Sequence, residues 1–350
     1  MDARSTNNHH PAAAMENAAM FKSLATRTCK PVIALAALSS LLPAAIGFAG
    51  PASAAGRAPI FANHSQPMMA SARSYTFETL DNKRDLTFNQ LLGIDDAGLI
   101  VGYFGSGASP QHPNKGYTLK PPYTQMGDYH GENFPGSTQT QVTGLNQKND
   151  TCGFWVDANG NNFGFIEWNG VFTSYTDPNI GTGTVTQILG INNAGTAVGF
   201  YTDGSGVNHG FKLNQATGKF TEILITDATN VTVSGINDNG NLTGFATTQT
   251  GKVVGFLIKN NALTEFSFPK AVATNPLGIS DSDEIVGSFV DRANATHGFT
   301  LTDPLMNAKF QQIDDPNGIG NTVVNGVNSS GQLVGFYVDG AGNTDGFLAQ

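Results

Sequence analysis

Cysteine is almost missing from this chain, and the little there is cannot cross-link it. Of two cysteines, Cys29 falls in an N-terminal stretch with the character of an export leader, which leaves Cys152 alone in the remainder. One thiol makes no intramolecular disulfide, so stability has to come from packing. Charge is scarce too, at 13% of residues, and tilted acidic, with a formal net charge of −9. Such a surface is unsuited to the phosphate backbone of nucleic acid and to anionic lipid, so neither is an expected partner. Beyond the leader no apolar run is long enough to span a bilayer, and no segment carries a helical period. Tryptophan is limited to Trp155 and Trp168. The chain has no Gly-x-Ser-x-Gly elbow, no phosphate-binding glycine loop, no three histidines at metal spacing and no Asp-x-Asp-x-Asp-Gly calcium series.

The leader is read from order, not from composition alone. Lys22, Arg27 and Lys30 precede an apolar run from Pro31 to Ala49, and Ala52-Ser53-Ala54 follows with small residues. Basic, then apolar, then A-x-A is the order of a secretory signal, with Met20 the more natural start. Ser39, Ser40 and Pro43 interrupt the run, which argues against a membrane anchor. The sequence therefore predicts a leader over 1–54, cleavage near Ala54, a linker over 55–74 and a repeat domain over 75–350, secreted or periplasmic. Losing the leader's four basic and two acidic residues takes the net charge from −9 to −11.

Glycine, by contrast, is abundant and periodic. A core of Gly-Ile-Asn-x-x-Gly-x-x-Val-Gly-Phe begins at Gly93, Gly144, Gly190, Gly235, Gly278 and Gly326. A second glycine follows nine residues later, and a third at Gly116, Gly164, Gly210, Gly255, Gly298 and Gly346. A spacing of 43 to 51 residues, repeated, is the mark of a repeat architecture. In the third copy, 186–191, 197–201, 209–213 and 219–224 alternate with Asn/Gly and Asp/Gly turns, which reads as four short strands. Four strands in about 45 residues make one propeller blade. The expectation is an all-β, six-bladed β-propeller, with an open β-solenoid as the competing arrangement. The last copy stops after its third strand, and Tyr75–Leu80 resembles a fourth strand, so residues 75–80 are predicted to close the last blade. The aromatics after the second and third glycines read as core. Cys152 fills a slot held by Val101, Val198, Val286 and Val334, so it reads as a small buried hydrophobe rather than a nucleophile.

Chemistry, if any, should sit in loops around the channel mouth. Loops linking blades carry Asp128, Tyr129, His130 and Glu132, then Asp177 and Asn179, then Asp315 and Asn317, and these are the candidate ligand-binding residues. The blade 1 segment is the longest and also holds His112 and Tyr123. Asp157, Asp203, Asp291 and Asp339 recur at equivalent hairpins, where Asp starts a turn by accepting its own backbone's hydrogen bonds. No cofactor is expected. Asp281, Asp283 and Glu284 form the densest acidic turn and the one candidate for calcium. His209 and His297 recur two blades apart at a position that elsewhere holds Lys115, Phe163, Val254 or Asp345, and read as ordinary strand residues.

The Gly-Ile-Asn-Asn-Ala-Gly, Val-Gly-Phe-Tyr and His-Gly-Phe segments resemble the HAF-type repeats of bacterial extracellular proteins. The match covers about 75–350 and is best at Gly190–Phe211 and Gly326–Phe347, with His209-Gly210-Phe211 and His297-Gly298-Phe299 as the name-giving triplets. The resemblance implies an exported β-repeat protein and transfers no catalytic residue. The leading functional expectation is a non-enzymatic module binding carbohydrate or protein. The alternatives are a hydrolase or lyase using acidic or His residues at the channel mouth, and a structural surface protein.

Overall fold

The computed structural model describes residues 68–69, 73–108, 110–318 and 320–350; the predicted leader and most of the predicted linker lie outside the described residues. Within them the regular structure is β-strand, apart from one 3-10 turn at Met126–Asp128. The antiparallel strand pairs group into six four-stranded sheets, the blades of a β-propeller. Blade 1 covers 89–131, blade 2 139–175, blade 3 185–222, blade 4 228–266 and blade 5 273–313. Blade 6 combines Thr322–Val327, Leu333–Val338 and Thr344–Ala349 with the N-terminal strand Phe77–Thr79, which pairs antiparallel with 347–349. Bonds between Thr76 and Gln350 (2.7 and 3.0 Å) and from Leu80 N–H to the Gly346 carbonyl (2.8 Å) lengthen this closure. Phe77 packs edge-on against Phe347 with centroids 5.4 Å apart. The segment read as linker also contributes structure: Met68–Met69 pair in parallel with 309–310 at the outer edge of blade 5.

The repeated glycines have a geometric cause. In every blade the first strand is bulged just before its glycine, for example between Leu91 and Gly93 or Val324 and Gly326. A bulge inserts a residue and re-aims the chain. Here it brings the six first glycines together in a closed circuit: a Cβ on Gly93 would lie 3.6 Å from the Gly144 Cα, and one on Gly326 would lie 3.0 Å from the Gly93 Cα. The bulge also lays a carbonyl over the second glycine. A Cβ on Gly199 would overlap the Gln187 oxygen, and each of the other five second glycines faces the same obstruction.

The Asn of the motif stitches blade to blade. Asn192 Oδ1 accepts from the N–H groups of Ala194 (3.1 Å) and Thr196 (3.0 Å) in its own turn, while its Nδ2 donates to the Asn237 carbonyl (3.1 Å) of the next blade. Asn237 donates likewise to the Ser280 carbonyl (2.9 Å), and Asn328 to the Asp95 carbonyl (3.0 Å) across the closure. One layer deeper, Thr143, Ser234 and Asn325 donate to the Ile188, Pro276 and Leu91 carbonyls (2.8, 2.7 and 2.9 Å). These polar residues alternate around the ring with Leu92, Leu189 and Leu277, which gives the repeat a three-fold undertone. A buried hydrogen bond of this kind contributes about 1 kcal/mol net.

The third-glycine aromatics Tyr117, Phe165, Phe211, Phe256, Phe299 and Phe347 are all fully buried, as expected of core, at about 1.5–3 kcal/mol per Phe side chain. After the second glycine, Phe154 and Phe336 are buried, whereas Phe200 and Phe245 are half-buried. Cys152 has no exposure, and burial pushes its thiol up to about 12, so it stays protonated and inert.

Candidate functional site

Strands alternate in direction, so turns between first and second strands emerge on one face, and turns between second and third strands share the other with the connections between blades. The first face holds an open depression lined by the motif turns of all six repeats, including Asp96, Gln147, Asp238, Asp281 and Ser329. Its polar groups are engaged with one another. The N–H groups of Asp96, Gln147, Asn193 and Asp238 donate to the side chains of Gln147, Asn193, Asp238 and Asp281 (3.0, 3.0, 2.8 and 2.8 Å). Ser329 N–H returns the chain to Asp96 (2.8 Å). On this face the turns are linked in a chain of hydrogen bonds that runs from blade 6 across the closure to blade 5.

The opposite face carries a frame that recurs between consecutive blades. Its first position opens the inter-blade turn: Asn82, Phe134, Asp177, Ile225, Phe268 and Asp315, each accepting from the N–H three residues on. In four of them the residue's own N–H donates to a threonine hydroxyl of the next blade, Thr140, Thr186, Thr274 or Thr322. The second position lies on the second strand and pairs in register with the third, on the third strand: Trp155 with Phe163, Tyr201 with His209, Phe289 with His297, Tyr337 with Asp345. Blade 2 fills the frame with aromatics, Trp155 stacking on Phe134 (4.4 Å, 4°) and on Phe163 (4.8 Å, 28°). In blade 5, Phe289 stacks on Phe268 (3.7 Å, 5°) and on His297 (5.1 Å, 27°). In blade 3, Tyr201 stacks on His209 (4.8 Å, 9°).

Carboxylates complete the frame in blades 3, 5 and 6. His209 Nδ1 meets Glu222 at 2.9 Å and Nε2 meets Asp203 at 3.2 Å. Burial pulls the His209 pKa down, but hydrogen bonds to Glu222 and Asp203 outweigh it, and the net shift is upward. His297 is bracketed in the same way by Asp314 (2.9 Å) and Asp291 (3.6 Å). Blade 6 has Asp345 where the imidazole should be. Leu80 N–H bonds the Gly346 carbonyl and Gly346 N–H donates to Asp81 (3.2 Å), which sets Asp81 beside Asp345 as Asp314 sits beside His297. Burial, Asp345 and Asp339 push Asp81 up to about 6, and burial and Asp339 raise Asp345 as well. Asp315 is 1% exposed; its Oδ1 accepts from Asn317 N–H (2.8 Å), while its Oδ2 has no hydrogen-bond partner.

The residues singled out from sequence fall in separate places. Asp128 to Glu132, read as an inter-blade loop, instead enters the outermost strand of blade 1, Tyr129–Gly131, which pairs with 117–119. The reason is Tyr129, whose ring packs edge-on against the buried Tyr117 (5.1 Å) and draws the segment onto the sheet. Asp128 caps the 3-10 turn at Gln125 N–H (2.9 Å), His130 is exposed, and Glu132 accepts from the Thr151 hydroxyl (3.2 Å) at the edge of blade 2. His112 pairs with Asp85 (3.0 Å). Asp177 and Asp315 occupy the first position of the frame in blades 3 and 6; Asn179 and Asn317 supply backbone N–H groups to them (2.8 Å each) and are themselves exposed. The eight candidates thus divide between the outer strand of blade 1 and its flanks and two crevices, those of blades 3 and 6. Asp203, Asp291 and Asp339 do hold their turns, and backbone N–H groups from Val207, Ala295 and Asn343 lower their pKa values.

Asp281, Asp283 and Glu284 each turn to a different partner. Asp281 joins the hydrogen-bond chain of the first face, Asp283 meets Lys259 (2.6 Å), Asn237 (2.9 Å) and Asn241 (2.7 Å), and Glu284 meets Arg73 (3.5 Å). Among the described residues no group of three or more His, Cys, Asp or Glu side chains is arranged to hold a metal ion. Asp81, Tyr201, Tyr337 and Asp345 were not singled out as site residues. The repeat alignment did contain the signal for Asp345, a carboxylate in the slot of His209 and His297.

No protein-family model matches the chain, and no curated protein matches it. Its fold is similar to solved structures at low identity. A gluconolactonase, XC5397 from Xanthomonas campestris, is 8% identical with a TM-score of 0.47, over 82% of this chain and 95% of that one. AofleA from Arthrobotrys oligospora is 11% identical with a TM-score of 0.48, over 79% and 86%. A variant of the Aleuria aurantia lectin in complex with Fucalpha1-6GlcNAc is 10% identical with a TM-score of 0.46, over 75% and 91%.

Proposed function

We propose that the chain is an exported, HAF-type repeat protein that acts as a non-enzymatic binding module for a carbohydrate or a protein, in the periplasm or outside the cell. The observation that carries this reading is the frame on the inter-blade face: one backbone geometry, repeated between blades, with a different side-chain set in each crevice. Aromatic in blade 2, imidazole and carboxylate in blades 3 and 5, carboxylate alone in blade 6, these crevices suit a ligand touched at several unlike points rather than several copies of one small ligand. The leader pattern supports export. The imidazoles of His209 and His297 bond to carboxylates and, for His297, to the Gln312 side chain (3.0 Å), not to a hydroxyl or thiol that they could activate.

A hydrolase or lyase is the second reading, favoured by one feature. Asp81, raised to about 6, stands beside Asp345, and neighbouring carboxyls of unequal affinity for protons are the usual equipment for acid-base work. A thermal-shift screen of the purified chain against oligosaccharides and peptides, followed by product analysis of every hit, separates the readings. A ligand that raises the midpoint and is recovered intact supports the binding module. A ligand that is cleaved replaces it with the enzyme, and no shift with either class shifts the assignment to a structural surface protein.

A further inference from the structure

The blade 6 crevice differs from its counterparts in blades 3 and 5 by what fills its centre. In those blades an imidazole on the third strand stands between two carboxylates, His209 within hydrogen-bond distance of both Glu222 and Asp203 and His297 of Asp314, so the crevice supplies its own partner for them. In blade 6 the third-strand position is Asp345, and Asp81 and Asp339 stand where Asp314 and Asp291 stand in blade 5. Asp339 is tied to its own turn by Asn343 Nδ2 (3.0 Å). Among the described residues, none of Asp81, Asp315, Asp339 and Asp345 forms an ion pair with Lys, Arg or His.

Asp315 supplies the independent sign that something is missing. Its place in the frame is that of Phe134 and Phe268, whose rings lie against the second-strand side chains Trp155 and Phe289. Asp315 accordingly faces Tyr337, which stands opposite Asp345 in register and whose hydroxyl meets Thr79 (2.9 Å). At this buried place the Asp315 Oδ2 has no partner. A buried carboxylate oxygen without a donor is costly unless a proton or a ligand's donor reaches it. Burial raises the affinities of Asp81, Asp315 and Asp345 for protons, and repulsion from neighbouring carboxylates adds to it at Asp81 and Asp345.

We propose that the blade 6 crevice is a binding site for the cationic head of a basic side chain, a lysine or arginine of a protein ligand, a reading that rests on the binding role above. The ligand's nitrogen takes the place that His297 fills in blade 5, donating to Asp345 and Asp81 and reaching inward toward the orphaned Asp315 oxygen. An organic cation with several N–H donors suits carboxylates spread over an inter-blade turn and two strands. A bare metal ion needs ligands converging at about 2–2.6 Å, and the described carboxylates are not arranged in that way.

The test is a titration of the intact, isotope-labelled chain with Nα-acetyl-lysine amide, Nα-acetyl-arginine amide and neutral Nα-acetyl-glutamine amide, followed by amide resonances. At least one cationic probe should move Tyr337 and Gly346 saturably, and the neutral probe should not. Asp345→His, which installs the imidazole of blades 3 and 5, should weaken that binding about tenfold or more, and Asp345→Asn should weaken it in the same direction. Whichever cationic probe binds names the side chain. The proposal is overturned if neither cationic probe moves these residues, if the neutral probe binds equally well, if both variants bind as the parent does, or if calcium alone displaces the probe at lower concentration. A ligand found by thermal shift while both cationic probes fail leaves the binding module standing and removes only this site.

Discussion

Blades 3 and 6 are built on the same frame and differ in the side chain at its centre. Each has an Asp opening the inter-blade turn, a tyrosine on the second strand and an Asp holding the next hairpin: Asp177, Tyr201 and Asp203 in one, Asp315, Tyr337 and Asp339 in the other. They part at the third strand, where His209 faces Tyr201 and Asp345 faces Tyr337. One residue therefore decides whether the crevice's carboxylates meet an imidazole or another carboxylate. In a repeat protein the backbone is shared and specificity is set by such single positions.

The blades also differ in how they are completed, and this gives the largest expected effect. The fourth strand of blade 3, Lys219–Glu222, follows its hairpin directly, whereas blade 6 borrows Phe77–Thr79 from the other end of the chain. Removing residues up to Leu80 strips the edge of blade 6, exposes Phe347 and loses the buried Leu80. Burial of two apolar side chains and the strand's hydrogen bonds are worth several kcal/mol, so the melting midpoint should fall by about 10 °C or more. An unchanged midpoint would show that the borrowed strand is dispensable.

A smaller effect sharpens the same contrast at the ring's inner edge. A Cβ on Gly326 would lie 3.0 Å from both the Gly93 Cα and the Val334 Cγ2, at the closure between last and first blades. A Cβ on Gly190 would find its nearest neighbours at 3.4 and 3.5 Å, ordinary contact. Gly326→Ala should therefore cost about 1–3 kcal/mol in chemical denaturation and Gly190→Ala clearly less. Equal losses would mean that the closure is no tighter than the seam between blades 3 and 4.

Much of this was legible in the sequence because it is written in backbone geometry. The six glycine triplets, the Asn/Gly turns and the resemblance of 75–80 to a fourth strand all report local constraints that repeat, and repetition makes them visible. The bulge before each first glycine was not legible, nor was the double use of the motif Asn, because both depend on the neighbouring blade. Asp128 to Glu132 misled because their polar composition resembles a loop, while Tyr129 is placed by a tertiary contact with Tyr117. The crevice frame was half legible: Asp177 and Asp315 stood out as turn residues, but their second- and third-strand partners come from positions that also serve the sheet. Asp345 looked like a tolerated variation until Asp81, distant in sequence, was brought beside it by the closure.

The finest test of the comparison is its pH dependence, in which Asp81 sets a penalty that grows with pH and His209 a contribution that fades with pH, so substituting them should have effects of opposite sign. Asp81 has a folded pKa of about 6 against an ordinary 3.8, so the native state holds its proton longer than the unfolded chain does. Its penalty is absent below the lower value and sets in as pH rises through about 6, so stability falls across that window. Asp81→Asn should then be more stable than the parent at about pH 7.5, with the gap closing toward about pH 4. Burial leads this shift and Asp345 and Asp339 add to it; burial likewise leads the upward shifts of Tyr117 and Tyr129, to which Asp81 adds. His209 is raised above 6.5 in the folded chain by Glu222 and Asp203 against the pull of burial, so its contribution is full below 6.5 and is lost as pH climbs through the folded value. His209→Gln should cost more at about pH 5.5 than at about pH 8.5, a difference of a few tenths of a kcal/mol to about 1 kcal/mol for half-exposed partners. If Asp81→Asn brought no gain at about pH 7.5, or His209→Gln cost no more at about pH 5.5 than at about pH 8.5, the carboxylates of blades 3 and 6 would be responding to the net charge of the molecule, and the exchange of His for Asp on the third strand would not be what sets the character of each crevice.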